Sequence, residues 1–352
     1  MAEKKAYWGL LSTARINERV IPAIRSSGRS ELVAVASRSK ERAQTYAKQW
    51  DIPRAYDTYE QMLADPAINV IYLSLPNHLH TEWAIKCAEA GKQILCEKPI
   101  AITTEEVAQM AQAADRNGVI IQEAAMMRFH PQTQYLRELV AKRAIGDIRL
   151  IRGVFAFTLE NPGDIRLEAN MGGGSLWDLG SYCVSFARTV LQAEPVEVSA
   201  YQVSGDTGVD MSLSAQMQFP AGTLVQFFSS FQSFAHIEAD FLGTEGRIYA
   251  DIPWANHIGA SANVQVTRSG DAEETSTFSD NIEGHTTNTK TYENMNAYQC
   301  EIDSMVESVL NGAEPIISLT DSWKNVATIV ALHESAQTSK PVRPETWNEK
   351  LT

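Results

Sequence analysis

The sequence predicts an α/β protein: a doubly wound parallel sheet, followed by an α+β region with an open, mainly antiparallel sheet. Three observations predict it. Through the first 125 residues, apolar runs alternate with amphipathic stretches, the pattern of parallel strands buried on both faces and linked by helices of about 10 to 15 residues. From residue 148 onward, runs with period-two alternation follow one another across short turns such as "PAGT" and "GTEG", which is how antiparallel strands read. The length of 352 residues exceeds one ordinary core and suits two domains, expected at 1–125 and 126–352.

Taken in order, "KAYWGLL" reads as a strand, "ARINERVIPAIRSS" as a helix and "ELVAVAS" as a second strand. A helix "SKERAQTYAKQW", a turn region and the strand "NVIYLSLP" come next, the last ended by Pro76. Helix "HLHTEWAIKCAEAG" stops at Gly91 and leads into "KQILCEKP". Helix "TTEEVAQMAQAADRNG" has Thr103 or Thr104 as its N-cap, acidic residues in its first turn and Gly118 just past its end. "VIIQEAAMM" adds one more strand to a sheet of the dinucleotide-binding, Rossmann type. The second region has the strand "IRLIRGVFAFT", a Gly-rich helical start "GGGSLWDLGSYCVSFARTVL" and strands at "VEVSAYQVS", "MSLSAQMQF", "TLVQFFSSFQS", "HIEADFLG" and "GRIYADI". Two helices, "AYQCEIDSMVESVLNG" and "LTDSWKNVATIVALHESAQTS", close it.

Composition removes several functions. A net charge of −13 argues against nucleic-acid binding, which needs clustered Lys and Arg. No run of about 18 apolar residues offers a membrane span, and "MAEKKAYWGLL" lacks the apolar core of a secretory signal. Cys87, Cys96, Cys183 and Cys300 are scattered and form no CxxC pair, so neither a disulfide framework nor a zinc site is expected. A cytoplasmic protein with no metal is the expectation.

Open parallel sheets bind ligands beyond the carboxyl ends of their strands. "GLLSTARIN" stands where a phosphate-binding turn belongs, with Gly9, Ser12, Thr13 and Ala14 as candidates. About 20 residues beyond such a turn an NAD site carries Asp or Glu; this chain has "SRSKER". A hydroxyl at Ser37 with cations at Arg38 and Arg42 accepts a 2′-phosphate, so NADP is expected over NAD. A solvated helix start is the plainer alternative for that stretch. On the same rim, "SLPNHLH" offers Leu75, Pro76, Asn77 and His80 to the cofactor, and "CEKP" carries Glu97 and Lys98 to the strand end, fixed by Pro99. Glu97 is expected to hold the ammonium or the ribose. In the second region, three glycines permit close backbone approach to a ligand, and Asp178 and Tyr182 stand at i and i+4 on one helix face. A buried Tyr satisfied by a nearby Asp is the alternative there.

These pieces resemble the Gfo/Idh/MocA oxidoreductases, the family of glucose-fructose oxidoreductase and inositol dehydrogenase. The resemblance runs over almost the whole chain. "EKP" at Glu97, Lys98 and Pro99 is that family's most specific signature, "GGGSLWDLGSYC" is similar to its second motif, and "YQCEIDSMVESVLNG" also fits. Two departures stand out. Ser12, Ala14 and Asn17 replace the usual glycine turn, and Tyr182 stands where many members carry His. Tyr is similar to the branch of dimeric dihydrodiol dehydrogenase, NADP-dependent xylose dehydrogenase and deoxysugar ketoreductases, which again implies NADP.

The family chemistry implies hydride transfer between a nicotinamide and a sugar or related cyclic polyol, with a base taking the hydroxyl proton. Tyr182 is expected as proton donor and acceptor, and Lys98 as the cation that lowers its pKa. Asp178 is expected to orient substrate hydroxyls. "MMRFHP" resembles the family's substrate-side loop, so Arg128 and His130 are candidate contacts, with Phe129, Trp177 and His257 completing an aromatic and polar pocket; alternatively His130, before Pro131, caps the next helix. A homodimer or homotetramer through the second sheet is expected. The competing function is a non-catalytic regulator that senses dinucleotide or sugar on the same fold.

Overall fold

The computed structural model describes residues 4–254, 261–269 and 285–347. The first sheet has six strands: β1 (Ala6–Leu11), β2 (Ser30–Ala36), β3 (Arg54–Tyr56), β4 (Val70–Leu73), β5 (Gln93–Glu97) and β6 (Ile121–Ala124). All pair parallel, in the order β3-β2-β1-β4-β5-β6. Order reverses between β1 and β4, the place where such sheets open a crevice for ligands. The central strands are largely apolar because both faces are covered; all four residues of β4 are buried. Helices α1 (Asn17–Ser26), α2 (Lys40–Gln49), α3 (Tyr59–Leu63), α4 (His80–Glu89) and α5 (Thr104–Asn117) make the connections. Thr103 caps α5 in a reciprocal box with Glu106, and Gly118 ends it at φ +62°. The sequence reading passed over β3 and α3, too short to show a period.

After α6 (Pro131–Ala141) the second sheet begins with β7 (Ile148–Thr158), one of its two central strands. Helix α7 (Ser181–Leu191) follows, then β8 (Glu197–Ser204), β9 (Asp210–Gln218), β10 (Leu224–Ser230), β11 (Gln232–Gly243), β12 (Gly246–Asp251), β13 (Ala262–Ser269) and β14 (His285–Tyr292). The eight strands run in the order β14-β13-β12-β11-β7-β10-β9-β8, antiparallel except for the β7–β10 pair. "TLVQFFSSFQS" is thus two strands, split after Ser230 as the chain crosses from one side of β7 to the other. In β9, Leu213, Ala215 and Met217 are buried while Ser214, Gln216 and Gln218 face water, the alternation of a sheet with one wet face.

Helices α8 (Ala297–Asn311) and α9 (Leu319–Thr338) end the chain. α8 returns to the first sheet: Ala297, Tyr298, Ile302 and Met305 share a core with Trp8, Leu10, Leu95 and Ala124. A second core runs from Leu11 and Ile94 of one sheet to Ile151 and Phe227 of the other. Among the described residues, no helix is long and apolar enough to cross a membrane.

Candidate active site

The site forms where the carboxyl ends of β4 and β5 meet the start of α7. Lys98 leaves β5 and its ammonium donates to the Asp178 carboxylate at 2.8 Å and to the Asp178 carbonyl at 2.7 Å. The same nitrogen lies 4.6 Å from the centre of the Tyr182 ring, a cation–π distance. Lysine, carboxylate and phenol are therefore brought together as the sequence implied. A π turn, Leu176–Gly180, carries Asp178 into α7; single π turns inside helices concentrate at functional sites.

Arg166, which sequence reasoning missed, completes the arrangement. Its Nε donates to the other Asp178 oxygen at 2.7 Å, and its guanidinium also pairs with Asp164 at 3.1 Å. Both carboxylate oxygens of Asp178 are thus held by cations, so this residue fixes Lys98 in place. Burial pushes the Asp178 carboxyl up, but Lys98 and Arg166 outweigh it and bring it down to about 2.

Tyr182 departs from expectation. Burial raises its pKa well above the usual value, and Tyr298, Glu97, Asp178 and Glu301 add to the rise. The phenol is thus protonated at rest, with the Lys98 ammonium, itself bonded to Asp178, 4.6 Å from its ring centre. Its hydroxyl lies 3.7 Å from the Met126 sulfur. Glu97 also takes another role: it accepts from the Tyr72 hydroxyl and from the Lys98 main-chain N–H, not from the ammonium.

The three glycines allow close approach of protein to protein. A Cβ on Gly172, at φ +76°, would meet Asn77 Cβ at 3.2 Å, and one on Gly174, at φ +117°, would sit 2.1 Å from Asp210 Oδ1. Through these contacts Asn77 donates to the Gly172 carbonyl, and Asp210 accepts from the Ser175 hydroxyl and the Leu176 N–H at the start of the π turn. Burial pushes the Asp210 carboxyl up to about 6 despite those bonds.

On the cofactor side, Ser12 adopts φ +151°, a glycine-like backbone. Hydrogen bonds hold it there: its hydroxyl meets the Ser74 hydroxyl at 2.9 Å and carbonyl at 3.0 Å and accepts from Ala14 N, while Asn17 donates to its carbonyl. This network does what glycine freedom does elsewhere, leaving Thr13 and Ala14 partly exposed before α1, whose start has no side-chain cap, a place that suits a phosphate. Gly9 is not part of that turn. It lies inside β1, where a Cβ would press on Met62, Ile68 and Ile71. Ser37 is buried at the end of β2 while Arg38 and Arg42 are exposed. Neither guanidinium makes an ion pair among the described residues. Arg38 reaches the Tyr59 hydroxyl, and two cations without a carboxylate partner beside a hydroxyl fit a 2′-phosphate. Leu75 is buried, and Pro76 and Asn77 are partly exposed. His80 is fully buried, its ring nitrogens 2.9 Å from the Pro99 carbonyl and 2.7 Å from the Leu75 carbonyl; it ties the β4 and β5 loops together and does not face a ligand.

Three substrate candidates lie elsewhere. Arg128 is buried in an ion pair with Asp321 at 2.7 Å. His130 caps α6 by accepting from Gln132 N–H at 3.2 Å, and burial lowers its pKa to about 4, which keeps it neutral. Trp177 is buried with its ring 5.4 Å from that of His333. Phe129 is also buried, beside Ala125 and Ile317, and His257 lies outside the described residues. No group of three His, Cys, Asp or Glu could hold a metal among the described residues.

Residues 8–125 match the oxidoreductase family with an NAD-binding Rossmann fold, and residues 133–249 match the GFO/IDH/MocA C-terminal domain. D-xylose 1-dehydrogenase (NADP(+)) 2 of Haloferax volcanii is 32% identical over 95% of this chain and 98% of its own. Trans-1,2-dihydrobenzene-1,2-diol dehydrogenase of Xenopus laevis is 31% identical over 92% and 95%. The aldose-aldose oxidoreductase of Caulobacter crescentus superposes with a TM-score of 0.85 at 25% identity, covering 97% of this chain and all of that one. With both sheets matched and a Lys–Asp–Tyr site between them, this chain belongs to the GFO/IDH/MocA oxidoreductases, NAD(P)-dependent enzymes on a Rossmann fold.

Proposed function

We propose that this chain is an NADP-dependent dehydrogenase or reductase acting on a CH–OH carbon of a sugar or related cyclic polyol, forming a ketone or a lactone. The observation that carries this reading is the meeting of Lys98 and Tyr182, 4.6 Å from nitrogen to ring centre, with Asp178 and Arg166 holding the lysine in place. The Ser12–Ala14 turn would hold the pyrophosphate, and Ser37, Arg38 and Arg42 the 2′-phosphate. When bound, NADP supplies or accepts the hydride. The protein's part is the proton. Tyr182 gives its proton to the carbonyl oxygen in reduction and takes the hydroxyl proton in oxidation, and Lys98 favours the phenolate as it forms. The names of the relatives, a xylose dehydrogenase and a dihydrodiol dehydrogenase, support a ring-shaped substrate with neighbouring hydroxyls.

A screen of NADP⁺ and NAD⁺ reduction against aldoses, inositols, anhydrosugars and aromatic dihydrodiols tests it. At least one substrate should reduce NADP⁺ faster than NAD⁺, and Arg38→Ala should shrink that preference by about 10-fold, roughly 1.4 kcal/mol. NADPH binding without turnover of any substrate would favour the regulator. We also place a homodimer or larger assembly on the open face of the second sheet, where Tyr201, Val203 and Phe234 are exposed; a monomer by light scattering contradicts it.

A further inference from the structure

Four polar atoms on one face of the first sheet are buried without a hydrogen-bond partner among the described residues: both carboxyl oxygens of Glu301 and the amide nitrogen and oxygen of Gln122. Both side chains have 0% exposure. Glu301 stands one turn from Ala297 and Met305 on the α8 stripe that packs on Trp8, Leu10 and Leu95. Strand alternation puts Gln122 on the Ala124 side of β6 and Glu97 on the Leu95 side of β5, the face that α8 covers. Tyr182 packs against the same cluster through Met126.

The titratable groups that act on Glu301 are acids, phenols and a thiol: Glu97 on β5, Tyr72 on β4, Tyr182 on α7, Tyr298 and Cys300 on its own helix, and Glu123 from the other face of β6. The cations beside this group are Arg19 of α1, which acts on Tyr298, and Lys98, which acts on Glu97 and lies 4.6 Å from the Tyr182 ring centre. An isolated buried carboxylate costs far more than a buried carboxylic acid, whereas an acid and an amide can share such a place. Burial first, then Glu97 and Glu123, push Glu301 well above the usual carboxyl range.

Given the reading of Tyr182 as proton carrier, we propose that Glu301 is a positioning residue for proton transfer: an acid kept neutral behind the site so that Tyr182 can pass through its anionic form. Ionised, Glu301 would add a further negative charge to those of Glu97 and Asp178 opposing the phenolate. Alcohol oxidation therefore declines as pH rises through the range where Glu301 ionises.

The test compares wild type with Glu301→Gln, which keeps the shape and cannot ionise. The fall in the oxidation rate with rising pH should move up by about one pH unit or more in the variant. A second readout needs no turnover. Because folding raises the Glu301 pKa, its contribution to stability is full below the ordinary Glu value and is lost as pH rises through the folded value. The wild-type unfolding temperature should thus fall relative to Glu301→Gln as pH rises above about 4.3; if that variant does not fold, Glu301→Met serves the same comparison. Parallel unfolding curves overturn the neutral acid, and diverging curves with coincident rate profiles overturn its link to Tyr182. Absence of turnover in both proteins counts against the proposed function, while the unfolding comparison still decides the protonation of Glu301.

Discussion

Asp178 is the residue on which the site turns. Its carboxylate stays ionised down to about pH 2 because two cations hold it. A depressed carboxyl adds stability above the ordinary Asp value of about 3.9, and this is lost as pH falls toward the folded value; acid loss of activity between about pH 5 and 8 therefore does not come from Asp178. Arg166 acts through it. Arg166→Ala should lower kcat by about 10-fold, roughly 1.4 kcal/mol, with NADPH affinity unchanged and partial rescue by Lys; an unchanged kcat contradicts the positioning role. Lys98 was legible because a charge at the end of a buried strand has few structural uses. Arg166 was not, since the loop before the glycines has no period. Arg128, His130 and Trp177 show the limit of that reasoning: a polar or aromatic residue near the rim reads the same whether it meets a ligand, an ion-pair partner or a helix end. Glu301 left a signal, a carboxylate inside the apolar stripe Tyr298, Ile302 and Met305.

At the scale of elements, the glycine turn and the π turn form one device. Gly172 lets the β4 loop dock through Asn77, and Gly174 lets Asp210 reach the N–H groups that start the π turn. Gly174→Ala forces a side chain into a left-handed backbone and against Asp210, a cost on the order of 2–3 kcal/mol. The unfolding temperature should fall by several degrees and kcat with it, and an unaltered melting curve contradicts the device. The sequence showed that the backbone comes close to something here; only the fold shows that the something is protein. Strand β14, "HTTNTKTY", escaped notice because seven of its eight residues are exposed, leaving no apolar face to alternate.

At the scale of the molecule, the change of grammar near residue 148 was legible because parallel and antiparallel sheets bury different numbers of faces. The return of α8 to the first sheet was not, because an amphipathic helix carries no record of which surface it covers. That return matters for function: it brings Tyr298 and Glu301 behind a site whose lysine comes from one sheet and whose phenol comes from the helix beside the other. The meeting of these two groups is the central claim. Single-turnover hydride transfer in Tyr182→Phe, followed by NADPH absorbance with a substrate found in the screen, tests it most directly. The rate should fall about 10²-fold or more while NADPH affinity stays within about 2-fold, under 0.5 kcal/mol; transfer at the wild-type rate would contradict it.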